Sequence, residues 1–234
     1  MPMSSIVVEQ NFESRDEASH AAAEQLIAML AANLSENARA AMIVTGGSSP
    51  VQCYAQMAKA DVEWSRVQLV LSDERWVAPS DENSNEGMIR SSLMVDQAAK
   101  ARLMPFYNSA VPASERCEEL NISLGSMSQP FAATLLGMGE DGHIASLFPD
   151  MENLADGLDP DSEEQCITVQ TAASSLPRVS LTLAPILHSE QVVLLFFGEA
   201  KRAVYEQAKT APGLYPVSSL LTQQRTPVQV FWAP

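Results

Sequence analysis

His143, one of only three histidines in the chain, closes a run that goes from apolar residues into glycines and acids: Leu135-Leu136-Gly137-Met138-Gly139-Glu140-Asp141-Gly142-His143-Ile144-Ala145-Ser146-Leu147-Phe148-Pro149. A free imidazole titrates near ~6.5, so it can take a proton from water at neutral pH and hand it on. Gly137, Gly139 and Gly142 fall within six residues. Glycines so dense after an apolar stretch read as a tight passage from strand to helix. There, backbone N–H groups can approach a ligand, and a side chain can be held at the strand's carboxyl end. His143 is placed to be that side chain.

The same run spells G-x-G-x-x-G, a dinucleotide-binding pattern, with acids further on at Asp156 and Asp159. That pattern needs a long helix opening at its last glycine. Here Pro149 follows Gly142 after six residues, and 150–161 is acidic and loop-like, so dinucleotide binding is disfavoured.

Two other junctions have unusual composition. Thr45-Gly46-Gly47-Ser48-Ser49-Pro50 offers glycines, hydroxyls and a Ser–Pro pair that reads as the N-cap and first residue of a helix, a cradle for an anion. No lysine follows the glycines, so it is not an ATP-binding P-loop. Leu71-Ser72-Asp73-Glu74-Arg75-Trp76-Val77, followed by Ser84-Asn85, sets three charged residues at the end of an apolar run. Buried unpaired they would be costly, so they must pair with one another or face a wet cleft.

Elements of two kinds must position these junctions. Strand-like runs at 42–45, 67–71, 133–138, 166–169, 192–197 and 228–232 alternate with helical patterns at 16–33, 50–59, 85–99, 113–127 and 199–210. Alternation of this kind predicts an α/β fold: an open, mostly parallel sheet with helices on both faces, in a single domain over 1–234. The segments 78–83 and 150–164 are expected loops. In such sheets ligands bind beyond the carboxyl ends of the strands, where all three junctions fall.

Bulk properties narrow the partners. The 234 residues carry a formal charge of −15, which disfavours nucleic acid and anionic membranes. Lys and Arg number only 14, so a cation beside a motif is informative. Cys53, Cys117 and Cys166 are odd in number and lack C-x-x-C spacing, which reads as buried thiols in a reducing compartment without structural zinc. The segment 1–11 has no leader pattern and no apolar run approaches a membrane span, so a cytoplasmic protein is expected. His20 and His188 read as surface or packed residues, and the three tryptophans as core or cleft wall.

Taken together, Gly46-Gly47-Ser48-Ser49-Pro50, Ser72-Asp73-Glu74-Arg75-Trp76-Val77 with Ser84-Asn85, and the glycine–histidine run resemble the 6-phosphogluconolactonase family in order and spacing. Leu176-Pro177-Arg178-Val179-Ser180-Leu181-Thr182 and Gly198-Glu199-Ala200-Lys201 extend the likeness over nearly the whole chain. It implies a Rossmann-like fold of the glucosamine-6-phosphate isomerase type and hydrolysis of 6-phospho-D-glucono-1,5-lactone. The related isomerases continue Asp-Gly-His-Ile-Ala with Phe-Asn-Glu-Pro, whose glutamate moves protons. Here Ser146-Leu147-Phe148-Pro149 puts a phenyl at that glutamate's position. A phenyl cannot carry a proton, which counts against an isomerase or deaminase.

Hydrolysing a lactone requires a base for water, donors for the oxyanion and an anchor for the remote phosphate. His143 is the expected base, with Asp141 or Asp73 to orient it. Gly46, Gly47 and Ser48 with Arg178 and Lys201 are the expected phosphate site, a combination the resemblance also implies, and Arg75 is a further candidate. Neither a metal nor a cofactor is expected, since a good base suffices for ester hydrolysis. The expected assembly is a monomer or weak homodimer, with a small sugar-phosphate lactone as its one partner; a non-catalytic sugar-phosphate sensor is the alternative outside enzymes.

Overall fold

The computed structural model describes residues 6–172 and 174–234; residues 1–5, part of the N-terminal segment read above for a leader, lie outside the described residues. The strands are β1 (Val7–Asn11), β2 (Ala40–Val44), β3 (Val67–Leu71), β4 (Asp73–Arg75), β5 (Arg102–Met104), β6 (Ala133–Leu136), β7 (Cys166–Thr171), β8 (Ser174–Leu181), β9 (Val192–Phe197) and β10 (Val228–Ala233). The helices are α1 (Arg15–Glu36), α2 (Val51–Met57), α3 (Asn85–Ser92), α4 (Ala113–Gly125), α5 (Leu154–Leu158), α6 (Leu183–Leu187), α7 (Glu199–Thr210) and α8 (Pro216–Thr222).

Seven strands form one sheet in the order β1-β10-β9-β6-β2-β3-β5, and every pairing in it is parallel. All residues of β2 and β6 are buried. Successive side chains point to opposite faces, so both faces of the central strands are covered, as a parallel sheet demands. The longest helix, α1, starts at the N-cap Ser14, whose side chain accepts from the Glu17 N–H. Its Ala22, Leu26, Leu30 and Leu34 recur every four residues, which places them on one buried face.

From β2 the chain builds outward to β3 and β5 on one side, and from β6 to β9 and β10 on the other. The order therefore reverses between β2 and β6, which opens a crevice at their carboxyl ends. The segments Thr45-Gly46-Gly47 and Gly137-Met138-Gly139 leave the sheet on either side of it. No helix among the described residues is long and apolar enough to cross a membrane.

A second, three-stranded antiparallel sheet runs β4-β8-β7. The expectation that 166–169 joins the parallel sheet is therefore corrected: β7 reaches β8 through a short turn, and strands so joined must be antiparallel. Pro177 hid β8 from a strand reading because it removes a ladder N–H, yet its carbonyl accepts from the Trp76 N–H at 2.8 Å. Three further boundaries differ. The helix expected over 85–99 ends at Ser92, because the N–H groups of Gln97 and Ala98 turn to the Ala58 carbonyl. Pro50 is the N-cap of α2 rather than its first residue, and no side chain caps that helix. The loop expected over 150–164 contains α5.

Ser72 joins the two sheets. Its N–H donates to the Val44 carbonyl and its own carbonyl accepts from the Leu181 N–H, each at 2.8 Å. The next residues are buried acids. The Glu74 carboxylate accepts from the N–H groups of Arg75 (2.7 Å), Asn85 (2.8 Å) and Glu86 (2.8 Å) and from the Ser84 hydroxyl (3.0 Å). It thus anchors the start of α3. Burial pushes its pKa up despite these donors, because desolvation disfavours the charged form.

Two outcomes follow for Glu74. Glu74→Ala leaves several buried donors unpaired and should destabilise the protein by about 1–3 kcal/mol in denaturant unfolding. A folded pKa above the ordinary 4.5 means that stability present below that value is lost as pH rises through the folded pKa. The melting temperature of Glu74→Gln relative to the parent should therefore rise across that window; a fall would show that the donors outweigh desolvation.

Candidate active site

The crevice between β2 and β6 holds an open cleft of about 210 Å³. Among its walls are Gly46, Gly47, Ser48, Asp73, Arg75, His143, Arg178 and Lys201, each a site residue expected from the sequence. Of those expected residues Asp141 does not line the cleft, but it binds the imidazole from behind.

The glycine–histidine run doubles back instead of entering a helix. Gly142 has φ +76° and Ala145 φ +50°, while the Gly139 N–H donates to the His143 carbonyl at 2.9 Å. A dinucleotide-binding helix is thereby ruled out at this glycine. Within the turn, His143 Nδ1 lies 2.6 Å from Asp141 Oδ1. A carboxylate only accepts, so Nδ1 carries the proton toward Asp141 and Nε2 is left with a lone pair. Gly139 is required for close approach: a Cβ there would overlap both His143 Nδ1 and Asp141 Oδ1.

Asp73 has different partners. Its oxygens accept from the Ser72 hydroxyl at 2.8 Å and the Ser146 hydroxyl at 2.5 Å, with Arg178 Nη1 3.9 Å away. Sequence left Asp141 and Asp73 as alternatives for orienting His143; the structure gives the imidazole to Asp141 and sets Asp73 against Ser146 and Arg178. The Ser146 N–H donates to the Ser180 hydroxyl at 3.1 Å, so the motif turn is fastened to β8 as well. Ser146 and Ser180 were noted only as members of their motifs, because a lone serine carries no spacing signal of its own. Asn85, noted only as part of a motif, donates to the Asp73 carbonyl at 2.8 Å and packs so closely on Gly46 that a Cβ there would overlap its amide.

Three cations share the cleft with the histidine. Arg75 and Arg178 are directly paired across β4 and β8. Like charges so placed repel unless an anion lies between or beside them. Arg75 donates to the Asn83 carbonyl at 2.7 Å, and Arg178 makes only long bonds, 3.4 Å to the Ser146 hydroxyl and 3.2 Å to the Ser174 hydroxyl. The Nε of each arginine is buried without a hydrogen-bond partner among the described residues. Burial lowers the pKa of Arg178, with Asp73 acting against it. Lys201, in the first turn of α7, is lowered by burial too, with Glu140 acting against it. Lys201 has no ion-pair or hydrogen-bond partner among the described residues. Facing these cations, the Gly46-Gly47-Ser48 turn is held by Tyr54, whose hydroxyl accepts from the Thr45 N–H at 2.9 Å and donates to the Thr45 carbonyl at 2.8 Å.

Comparison with known proteins places this architecture. The family model of glucosamine-6-phosphate isomerases/6-phosphogluconolactonase matches residues 13–232. The chain belongs to this family. Its relatives within the glucosamine-6-phosphate isomerase/6-phosphogluconolactonase family include a 6-phosphogluconolactonase from Caulobacter vibrioides, 37% identical and covered in full on both chains. Another, from Mesorhizobium japonicum, is 35% identical over 95% of this chain and 94% of its own. The crystal structure of a 6-phosphogluconolactonase from Shewanella baltica superposes with a TM-score of 0.93 at 29% identity, covering 97% of this chain and 98% of that one.

Among the described residues no three His, Cys, Asp or Glu side chains cluster so as to hold a metal ion. His20 is exposed and bonded to Gln56 and Glu24, and His188 is exposed at the end of α6. Cys53, Cys117 and Cys166 are buried free thiols.

Gly139→Ala should force the imidazole away from Asp141. A crystal structure of the variant checks this, and an intact 2.6 Å pair would show that the turn can absorb the methyl group.

Proposed function

We propose that the protein hydrolyses 6-phospho-D-glucono-1,5-lactone to 6-phospho-D-gluconate in the oxidative pentose phosphate pathway, with His143 as general base. The observation that carries this reading is the 2.6 Å His143–Asp141 pair beside a cleft lined by Arg75, Arg178 and Lys201. Nε2, free of the carboxylate, takes a proton from water as the oxygen attacks the lactone carbonyl carbon. The ring C–O bond then breaks, and the imidazolium returns its proton to the departing ring oxygen. Asp141 holds the tautomer and faces the positive charge while it lasts.

Arg178, Lys201 and the Gly46-Gly47-Ser48 turn, with Arg75 alongside, bind the phosphate. A dianion there relieves the repulsion of the paired arginines and gives hydrogen bonds to a partly desolvated ammonium and to unsatisfied guanidinium N–H groups. In this reading Asp73 keeps Arg178 and the motif turn in place and does not touch the imidazole. No step calls for a metal or cofactor, and every group comes from one chain, which suits a monomer or weak homodimer. An isomerase reading lacks its proton-moving carboxylate, since Phe148 occupies that position.

The test is acid release from freshly made 6-phosphogluconolactone near neutral pH, over the spontaneous background. His143→Ala should lower kcat by about 10²–10⁴-fold, the span of general acid–base catalysis. Asp141→Asn should fall between it and the parent. An active His143→Ala removes the proposed base; a parent that binds 6-phosphogluconate without turnover is a sensor. Lys201→Ala should raise KM for the phosphorylated lactone by about 10- to 100-fold, as loss of a charge-assisted contact implies, and leave KM for glucono-1,5-lactone unchanged. Equal changes with both lactones would place the phosphate elsewhere.

A further inference from the structure

Phe148 touches both halves of the cleft. Its ring centroid lies 4.3 Å from that of His143, with the planes tilted by 34°, and Arg178 Cζ lies 5.1 Å from the same ring. The phenyl is 4% exposed, so it is fixed by packing.

Each functional group it touches is otherwise loosely held in one degree of freedom. The hydrogen bond from His143 Nδ1 to Asp141 fixes one nitrogen, but one contact at one ring atom restrains the side-chain torsions only in part. Arg178 is held by bonds of 3.2 and 3.4 Å and a 3.9 Å approach to Asp73, and its Nε has no partner among the described residues. A fixed aromatic ring supplies what both lack, because packing against its face narrows the orientations open to an imidazole or a guanidinium.

We infer that Phe148 is a positioning residue that orients the His143 imidazole and the Arg178 guanidinium together, so that proton transfer and phosphate anchoring depend on one ring. The inference rests on the reading of His143 as base and Arg178 as phosphate ligand. Replacing Phe148 by Met keeps the volume roughly and removes the flat face. Replacing it by Tyr keeps the face.

The experiment compares Phe148→Met, Phe148→Tyr, His143→Ala and Arg178→Ala on 6-phosphogluconolactone and on glucono-1,5-lactone, with melting curves for each. For Phe148→Met, kcat should fall by about 3- to 10-fold on both lactones, and KM should rise only for the phosphorylated one, by a similar factor. Phe148→Tyr should restore both parameters, and adding Phe148→Met to Arg178→Ala should raise KM no further. The inference is overturned if Phe148→Met leaves kcat and KM unchanged, or lowers the melting temperature and activity without separating the two lactones. It also falls if tyrosine does no better than methionine. An active His143→Ala, or an Arg178→Ala with unchanged KM, sinks the underlying reading instead, and that outcome is visible whatever the Phe148 variants do.

Discussion

Asp73 and Glu74 are consecutive carboxylates buried where the chain steps from the large sheet to the small one. Neither could stay there without donors, because an unsolvated charge is far more costly than any packing gain at one residue. The donors come from separate parts of the chain. Ser72 and Ser146 serve Asp73, while Ser84 and the first amides of α3 serve Glu74. Satisfying two acids therefore draws together the end of β3, the start of α3, the glycine–histidine turn and β8. The cleft is the space enclosed by those elements.

The division of labour between the acids follows from their surroundings. Asp141 sits on the exposed side of its turn, next to a ring it can orient. Asp73 accepts from two hydroxyls and lies near Arg178, so its charge acts on that arginine.

Charge is distributed as unevenly as hydrogen bonding. The chain carries −15 overall, yet Arg75, Arg178 and Lys201 converge on one cleft. A phosphorylated sugar approaching this protein meets a net negative charge, with three cations gathered at the cleft. The cross-strand pairing of two arginines and the burial of Lys201 both raise the cost of that cluster when empty, and both costs fall when a dianion arrives. Such a site favours an anionic group by its electrostatics as well as by its shape.

Much of this was legible in the residues. Apolar runs located β3, β9 and most of β2, β6 and β10, because strands buried on both faces read as unbroken hydrophobic stretches. Glycine spacing marked the turns, since only glycine permits the Asp141–His143 pair to lie against Gly139. Short or proline-bearing strands were not legible: β4 has three residues and takes its ladder from β8, and β8 contains Pro177 and is paired by β4 on one side and β7 on the other. Tertiary structure alone decided that β7 is antiparallel, that the order reverses between β2 and β6, and which acid holds the imidazole. Sequence determines which groups are available and how tightly the chain can turn; which of them meet depends on strand order and on buried charges finding donors far along the chain, as Asp73 finds the Ser146 hydroxyl 73 residues away.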